Sequence, residues 1–384
     1  MAANRIICDG NIGLDARGAF WYRGTGIGTY SYQLATNLGK LAADGRISYI
    51  MPGSEYADFD FADGVQCSLA GTSADYFGEV FLPRWLEDNQ ISLYHVPQNG
   101  IGLPEDINCR KVATVHDLIP YVYPETVGKN YLKEFLRSMP KIMANADGII
   151  AVSEHTKRDI LRFFDYPEER IAVIYEAAEP IYSPTSTYAC RDILQRLYGI
   201  DGEFLLYVGG LGARKNLSGL LTAFAQALPQ LHHSRKLVCP GRNGRDKAYL
   251  KELCKALEIE DKVIFPGFVP LNLLPYFYGA ATALVYPSYY EGFGLPVLEA
   301  MACGCPVLAA DNSSIPEIGG EAAVYFNAYD TESISKAIVR TLNDEELLNE
   351  MCYGGLRHSS QFCWQQNAEE TLAFYDKILS MPPR

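Results

Sequence analysis

The chain has 384 residues, 48% of them hydrophobic and 21% charged, with a formal net charge of −13. This length predicts two or three domains with sizeable cores, and the acidic balance excludes a sequence-independent nucleic-acid binder, which needs Lys and Arg to neutralise phosphates. The opening MAANRIICDGN lacks an apolar signal core and no run of about 18 apolar residues occurs, so a soluble, cytoplasmic protein is expected.

Strand-like and helix-like segments alternate along the chain, the signature of parallel sheets covered by helices. Arg5 to Cys8 is the first strand candidate, followed by Asp9-Gly10 and a loop, GAFWYRGTGIG, from Gly18 to Gly28. A helix is predicted over Thr29 to Leu38. The series Gly24, Gly26, Gly28 is not the dinucleotide fingerprint, whose glycines are spaced G-x-G-x-x-G directly after a strand. It reads either as backbone amides brought to a ligand or as an ordinary connection. Strands follow at Ile47 to Met51, around Val65 to Leu69, and at Ser92 to Pro97 and Lys111 to Val115. Between them Asp58-Phe-Asp60 resembles a metal-holding D-x-D, but no apolar strand leads into it, so it is read as a solvated loop and no metal site is expected. His116-Asp117 falls just past a strand's carboxyl end, where ligands of open parallel sheets bind. The imidazole there is suited to a sugar hydroxyl, or is a histidine satisfied by nearby backbone.

After Pro124, Lys129, Lys133, Arg137 and Lys141 form one edge of a helix that Pro140 is expected to kink. Such an edge suits an anionic membrane or a phosphorylated acceptor, or is a solvated face. Gly148 to Val152 is a strand, Ser153 caps the helix holding Lys157, and Ile171 to Tyr175 closes this half. The Pro/Ser/Thr-rich stretch from Glu179 is the linker.

The second half opens with a buried strand, Phe204 to Val208. Gly209-Gly210-Leu211-Gly212-Ala213-Arg214-Lys215-Asn216 follows, then a helix over Leu217 to Ala227. Adjacent cations at a strand-helix turn set fixed positive charge where a diphosphate could sit, or are a solvated pair. Further strands are predicted at Leu237 to Cys239, Val263 to Phe265, Ala283 to Tyr286, Val307 to Ala309 and Ala323 to Phe326, giving six in this half. The stretch ALVYPSYYEGFGLPVLEAMACGCPVLAADN is a strand, a Gly-rich loop, a helix starting near Leu295 and stopping at Gly304, and another strand. The helix start favours anions, and Gly292 and Gly294 permit close approach to the backbone. Glu291 and Glu299 bracket the loop. Eight helical residues would span about 12 Å, against about 5–5.5 Å for the carboxylates of a retaining hydrolase, so a hydrolase pair is disfavoured. The two carboxylates instead suit hydroxyl pairs at two ends of one ligand, or simply support the helix dipole. The ten cysteines show no framework, and Cys303-x-Cys305 lacks the gap of a zinc or redox knuckle.

Together, Arg214-Lys215-Asn216, Gly267-Phe268-Val269 and PSYYEGFGLPVLEAMACGCPVLAADNSSIPEIGG, with its E-x7-E spacing, resemble glycosyltransferase family 4. Gly26-Ile27-Gly28, His116-Asp117 and Ser153 followed by Lys157 extend the resemblance to the first half, so it covers essentially the whole chain. The resemblance implies an α/β GT-B fold, two Rossmann-like doubly wound parallel-sheet domains facing across a cleft. These are expected over residues 1–181 with 364–384, the final helix returning to the first domain, and over 182–363. It implies catalytic roles for His116, Arg214, Lys215 and Glu291: the cations on the diphosphate, Glu291 on the hydroxyls of the transferred sugar, and His116 reaching that sugar from the other domain. By the same resemblance Glu299 holds the ribose, the main chain near Val269 meets the base, and Gly212, Gly292, Phe293, Gly294 and Leu295 line the sugar and phosphates. By the same resemblance the loop at Gly26 and Gly28 closes over the donor and helps frame the acceptor. Gly210 and Leu211 depart from the polar residues more usual before Gly212.

The implied activity is metal-independent transfer of a sugar, with retention, from a nucleotide-sugar donor to an acceptor hydroxyl during cell-surface polysaccharide or glycoconjugate synthesis. The donor is expected to be GDP-mannose or a UDP-sugar, and the acceptor a glycan or lipid-linked glycan, with peripheral contact at the cytosolic face of the membrane. No cofactor is expected. The competing readings are another GT-B enzyme, such as a sugar-nucleotide epimerase or a phosphorylase, and a non-catalytic sugar-nucleotide-binding protein. A nicotinamide dehydrogenase lacks its glycine fingerprint here.

Overall fold

The computed structural model describes residues 10–42, 45–51, 66–68, 77–241 and 246–384. The chain divides into two compact units, 1–176 with 363–384, and 177–362. The expected break after residue 181 thus falls inside the second unit, which begins at Ala177 and whose core Ala178 packs against.

The first unit holds seven strands: β1 Asn11–Asp15, β2 Ile47–Met51, β3 Gln66–Ser68, β4 Ile91–Val96, β5 Arg110–Val115, β6 Gly148–Ala151 and β7 Ile171–Val173. They pair in parallel in the order β3-β2-β1-β4-β5-β6-β7. The second unit holds six: β8 Phe204–Leu206, β9 Lys236–Val238, β10 Val263–Ile264, β11 Ala283–Tyr286, β12 Val307–Ala310 and β13 Ala323–Phe326. Their order, also parallel, is β10-β9-β8-β11-β12-β13. Each sheet reverses its strand order at its centre, the topology of doubly wound nucleotide-binding folds. Strands such as Gly148-Ile-Ile-Ala and Ala283-Leu-Val-Tyr are buried throughout, as parallel strands covered on both faces must be.

Arg5 to Cys8 and the Asp58–Asp60 string lie outside the described residues. The first described strand is Asn11-Ile-Gly-Leu-Asp15, a segment to which sequence reading gave no strand. Its polar ends and central glycine weaken the local signal, but Ile12 and Leu14 are buried. A Cβ on Gly13 would come within 3.1 Å of the Tyr94 ring, so the glycine lets β1 lie against β4. The helix Lys129–Asn145 runs through Pro140 as one element. On its basic edge, Arg137 is answered by Glu134 at 2.8 Å and Lys141 by Glu105 at 2.6 Å. No helix among the described residues is long and apolar enough to cross a membrane.

The last helix, Trp364–Ser380, belongs to the first unit and is pinned there by polar contacts. Asn367 Nδ2 donates to Tyr175 O at 2.8 Å, and Tyr375 Oη lies 2.6 Å from His95 Nδ1. The other His95 nitrogen lies 2.8 Å from Thr114 Oγ1. Burial, together with the neighbouring His116, lowers the His95 pKa to about 3, so this ring is a neutral core histidine.

Candidate active site

In the second unit the tip of β11 leads through Pro287 to the loop Glu291–Gly294. Gly294, at φ +112°, turns the chain into the helix Leu295–Ala302, whose first turn contains Pro296. The helix stops at Gly304, at φ +73°, where the sequence placed the stop. Two serines after β12 shape this loop from behind. Glu291 N donates to Ser313 Oγ at 3.0 Å, and Ser314 Oγ lies 2.9 Å from Glu291 O and 2.7 Å from Phe293 O. The side chains of Phe293 and Leu295 are buried, so the main chain is what this loop offers to a ligand.

The cations arrive from β8. After Gly212, Ala213–Lys215 form a 3₁₀ turn that ends at Asn216, held in the left-handed region at φ +53°. Asn216 is fixed on both sides: its Nδ2 donates to Ala328 O and its Oδ1 accepts from Tyr289 Oη, each at 2.8 Å. A Cβ on Gly219 would sit 2.4 Å from Asn216 Oδ1, so that glycine admits the anchor. With Asn216 held, Lys215 Nζ donates to Glu291 Oε1 at 2.6 Å and to Tyr286 Oη at 3.1 Å. Arg214 Nη1 lies 3.1 Å from the same carboxylate oxygen and donates to Tyr290 O. Glu291 is buried, which by itself raises a carboxyl pKa. Lys215 and Arg214 outweigh that effect and hold it down at about 2. The site therefore carries two cations on one ionised carboxylate.

Glu299 lies further along the helix and accepts a hydrogen bond from Tyr278 Oη at 2.7 Å. Tyr278 is wholly buried, and burial next to Glu299 raises its pKa well above 10.0. The two glutamates of the E-x7-E pair thus have separate partners. Val269 is buried after β10, with Phe268 exposed beside it and Gly267 turning the chain at φ +89°. Ser313, Ser314, Tyr286, Tyr278 and Asn216 were given no role from sequence. The signal for the serines was present in NSSIPE, but their partners are set by tertiary contact.

In the first unit His116 follows β5 and is buried. Pro97 O accepts from its Nε2 at 2.8 Å, and Nδ1 lies 3.0 Å from Glu176 Oε1. Asn99 Oδ1 accepts from the His116 main-chain N at 2.7 Å, and Tyr30 stands edge-on to the ring with centroids 4.8 Å apart. Both ring nitrogens are engaged, and the Nδ1–Glu176 bond is completed by a proton on one or other atom. Glu176 escaped the sequence reading. The glycine loop leads into the helix Gly26–Leu41, with Thr25 as N-cap accepting from Gly28 N at 3.3 Å. That amide is therefore satisfied within the protein. Gly28 is required for another reason: a Cβ there would lie 2.0 Å from Tyr22 O.

The sequence pattern of Glycosyl transferases group 1 matches residues 197–358, and that of Glycosyltransferase Family 4 matches residues 24–180. The O-antigen chain mannosyltransferase B of Escherichia coli is 34% identical over 76% of this chain and 75% of its own. The chain belongs to glycosyltransferase family 4. Solved structures agree in fold. Sucrose-phosphate synthase from Thermosynechococcus elongatus superposes with a TM-score of 0.76 at 21% identity, covering 96% of this chain and 98% of that one. Anabaena HepE, solved with UDP and glucose, gives 0.71 at 18% identity, covering 94% and 98%. The chain is thus a GT-B glycosyltransferase, and the elements described above are this family's scaffold.

Proposed function

We propose that this glycosyltransferase moves mannose from GDP-mannose to a hydroxyl of a growing cell-surface polysaccharide, with retention and without a required metal. The mannosyl and O-antigen parts draw on the Escherichia coli relative. The observation that carries the chemistry is the Arg214-Lys215-Glu291 cluster beside a helix N-terminus. In this reading the second unit takes the donor. Lys215, Arg214 and the amides of Gly292 to Gly294 meet the diphosphate, Glu299 the ribose, the main chain near Val269 the base, and Glu291 the sugar hydroxyls. The first unit serves the acceptor side, and His116 meets the transferred sugar.

The reaction breaks the bond from the sugar's anomeric carbon to the phosphate oxygen, and the electron pair leaves with the diphosphate. A bond then forms from the same face to the acceptor oxygen, whose proton passes to the departing phosphate. Charge develops on the leaving group while the sugar becomes oxocarbenium-like. Fixed cations and backbone dipoles lower such a barrier when they face the charge as it grows. Metal independence follows if Lys215 and Arg214 carry that load.

The test assays GDP-mannose, UDP-glucose and UDP-N-acetylglucosamine with and without EDTA, and reads the product's anomeric configuration by NMR. Transfer from GDP-mannose with retention, unchanged by EDTA, is expected. Transfer only from a UDP-sugar overturns the donor assignment, and loss with EDTA overturns metal independence. Lys215→Ala is expected to lower turnover far more than it weakens GDP binding. Equal losses in both would sink the leaving-group role.

A further inference from the structure

Lys215 ends the 3₁₀ turn that follows β8, and Glu291 stands in the loop after β11, so both groups of the central ion pair are carried by connections. A connection places a charged head less firmly than a strand does. The head of Lys215 nevertheless has a second partner that belongs to the sheet. Tyr286 is the last residue of β11, which lies inside the sheet between β8 and β12. Its Oη accepts from Lys215 Nζ at 3.1 Å, and the ammonium lies 5.2 Å from the ring centroid. The aliphatic stem is guided as well, since a Cβ on Gly209 would stand 3.5 Å from Lys215 Cδ and 3.4 Å from Tyr207 Oη. Tyr207 is itself buried and donates to Gly210 O at 2.6 Å.

An ammonium has three N–H bonds at tetrahedral angles. Glu291 Oε1 takes one of them at 2.6 Å and Tyr286 Oη takes another, which fixes the direction of the third. The carboxylate alone leaves the head free to turn about the line from Nζ to Oε1, and the phenol removes that freedom. Glu291 is also shared, because Arg214 lies 3.1 Å from the same oxygen and the proposed reading gives the carboxylate sugar hydroxyls to hold. Tyr286 is 1% exposed, so it meets no ligand itself and acts on one through Lys215. Burial, and after it the neighbouring Glu291, raises the Tyr286 pKa well above 10.0. The phenol therefore stays protonated, and its oxygen remains a neutral acceptor for the ammonium.

We propose that Tyr286 is a positioning residue for the transfer reaction, its hydroxyl holding the Lys215 ammonium in the orientation that meets the leaving diphosphate. This rests on the glycosyltransferase reading and adds to it the group that aims its cation. The effect belongs to the transition state, because charge that grows along one direction is stabilised most by a donor already pointed there. Binding of the ground-state diphosphate is less demanding, since a mobile ammonium can follow it at little cost.

The test is a double-mutant cycle on Tyr286→Phe and Lys215→Ala in the full chain, read as single-turnover transfer from radiolabelled GDP-mannose to an α-linked mannotriose. GDP binding by calorimetry and thermal melts accompany it. Tyr286→Phe should lower turnover about tenfold, the worth of one hydrogen bond to a charged group, and change GDP affinity by less than about twofold. In the Lys215→Ala background the same substitution should change turnover by less than about twofold. Turnover in Tyr286→Phe within about twofold of wild type, or an equal loss in both backgrounds, overturns the positioning role, because a mere loss of packing is shared by both backgrounds. A proton–nitrogen correlation spectrum of the lysine ammonium groups reads the anchor without turnover. The signal that vanishes in Lys215→Ala should be present in wild type and broaden in Tyr286→Phe, as its protons exchange faster with water. No such signal in wild type, or one unchanged in Tyr286→Phe, overturns the anchor. A Tyr286-dependent signal in a protein that transfers from none of GDP-mannose, UDP-glucose and UDP-N-acetylglucosamine would instead overturn the glycosyltransferase reading and leave the anchor standing.

Discussion

Replacing Glu291 by Gln removes one charge from the centre of the cation cluster and keeps the side-chain shape. In the folded protein the carboxyl pKa is depressed from 4.5 to about 2. A depressed carboxyl contributes stability that is fully present above its unfolded pKa and is lost as pH falls through the folded value. At about 1.4 kcal/mol per pKa unit, this ionisation is worth about 3 kcal/mol near neutral pH. The same linkage predicts that about 1 kcal/mol of it is lost by pH 4 and about 2 kcal/mol by pH 3. The stability difference between wild type and Glu291→Gln should therefore shrink by these amounts as the solution is acidified. Urea unfolding of both proteins, followed by fluorescence at a series of pH values, measures it. A difference that stays constant from neutral pH down to about pH 3 would refute the ion-paired carboxylate.

Two further substitutions test other parts of the site. Gly28→Ala places a Cβ against the Tyr22 carbonyl, so it should destabilise the first unit by about 1–3 kcal/mol, although Ala is the better helix former by about 1 kcal/mol. A thermal midpoint at or above wild type would show that the loop yields instead. Tyr278→Phe removes the hydroxyl that holds Glu299 and should weaken GDP roughly fivefold to tenfold, the worth of about one hydrogen bond. A GDP analogue lacking the 2′ and 3′ ribose hydroxyls should bind both proteins alike. Equal weakening of GDP and the analogue would detach Glu299 from the ribose.

Much of the second sheet was legible because its strands are short apolar runs bounded by turn residues. Ala283–Tyr286 and Ala323–Phe326 begin and end where the pattern placed them. The helix at Leu295 was equally plain, since Gly294, Pro296 and Gly304 punctuate it. β1 was not legible, because Asn11-Ile-Gly-Leu-Asp15 owes its strand conformation to neighbours on both sides, β2 and β4. The site divides in the same way. Arg214, Lys215, Glu291 and Glu299 stand out as residue types at a spacing, but nothing local says that Lys215 bonds Glu291 or that Tyr278 bonds Glu299. His116 was visible at a strand tip. Its partner Glu176 was hidden, because the pairing joins the ends of two non-consecutive segments.

The contact between Lys215 and Glu291 also changes how the roles inferred from sequence fit together. A diphosphate on the cations and sugar hydroxyls on the carboxylate look like two separate assignments along the chain. In the fold they share one oxygen, Glu291 Oε1, with both cations on it. Two cations and one carboxylate leave a net positive charge, which the N-terminal dipole of the helix Leu295–Ala302 reinforces. In the proposed function an arriving diphosphate would meet a site that is attractive overall, with Lys215 and Arg214 held in place on the Glu291 carboxylate. The same carboxylate weakens the pull on the diphosphate in the ground state. In the proposed reaction Lys215 and Arg214 would face the negative charge growing on the leaving oxygens from fixed positions. Such an arrangement favours the charged transition state over the bound substrate, which is what raises turnover rather than affinity.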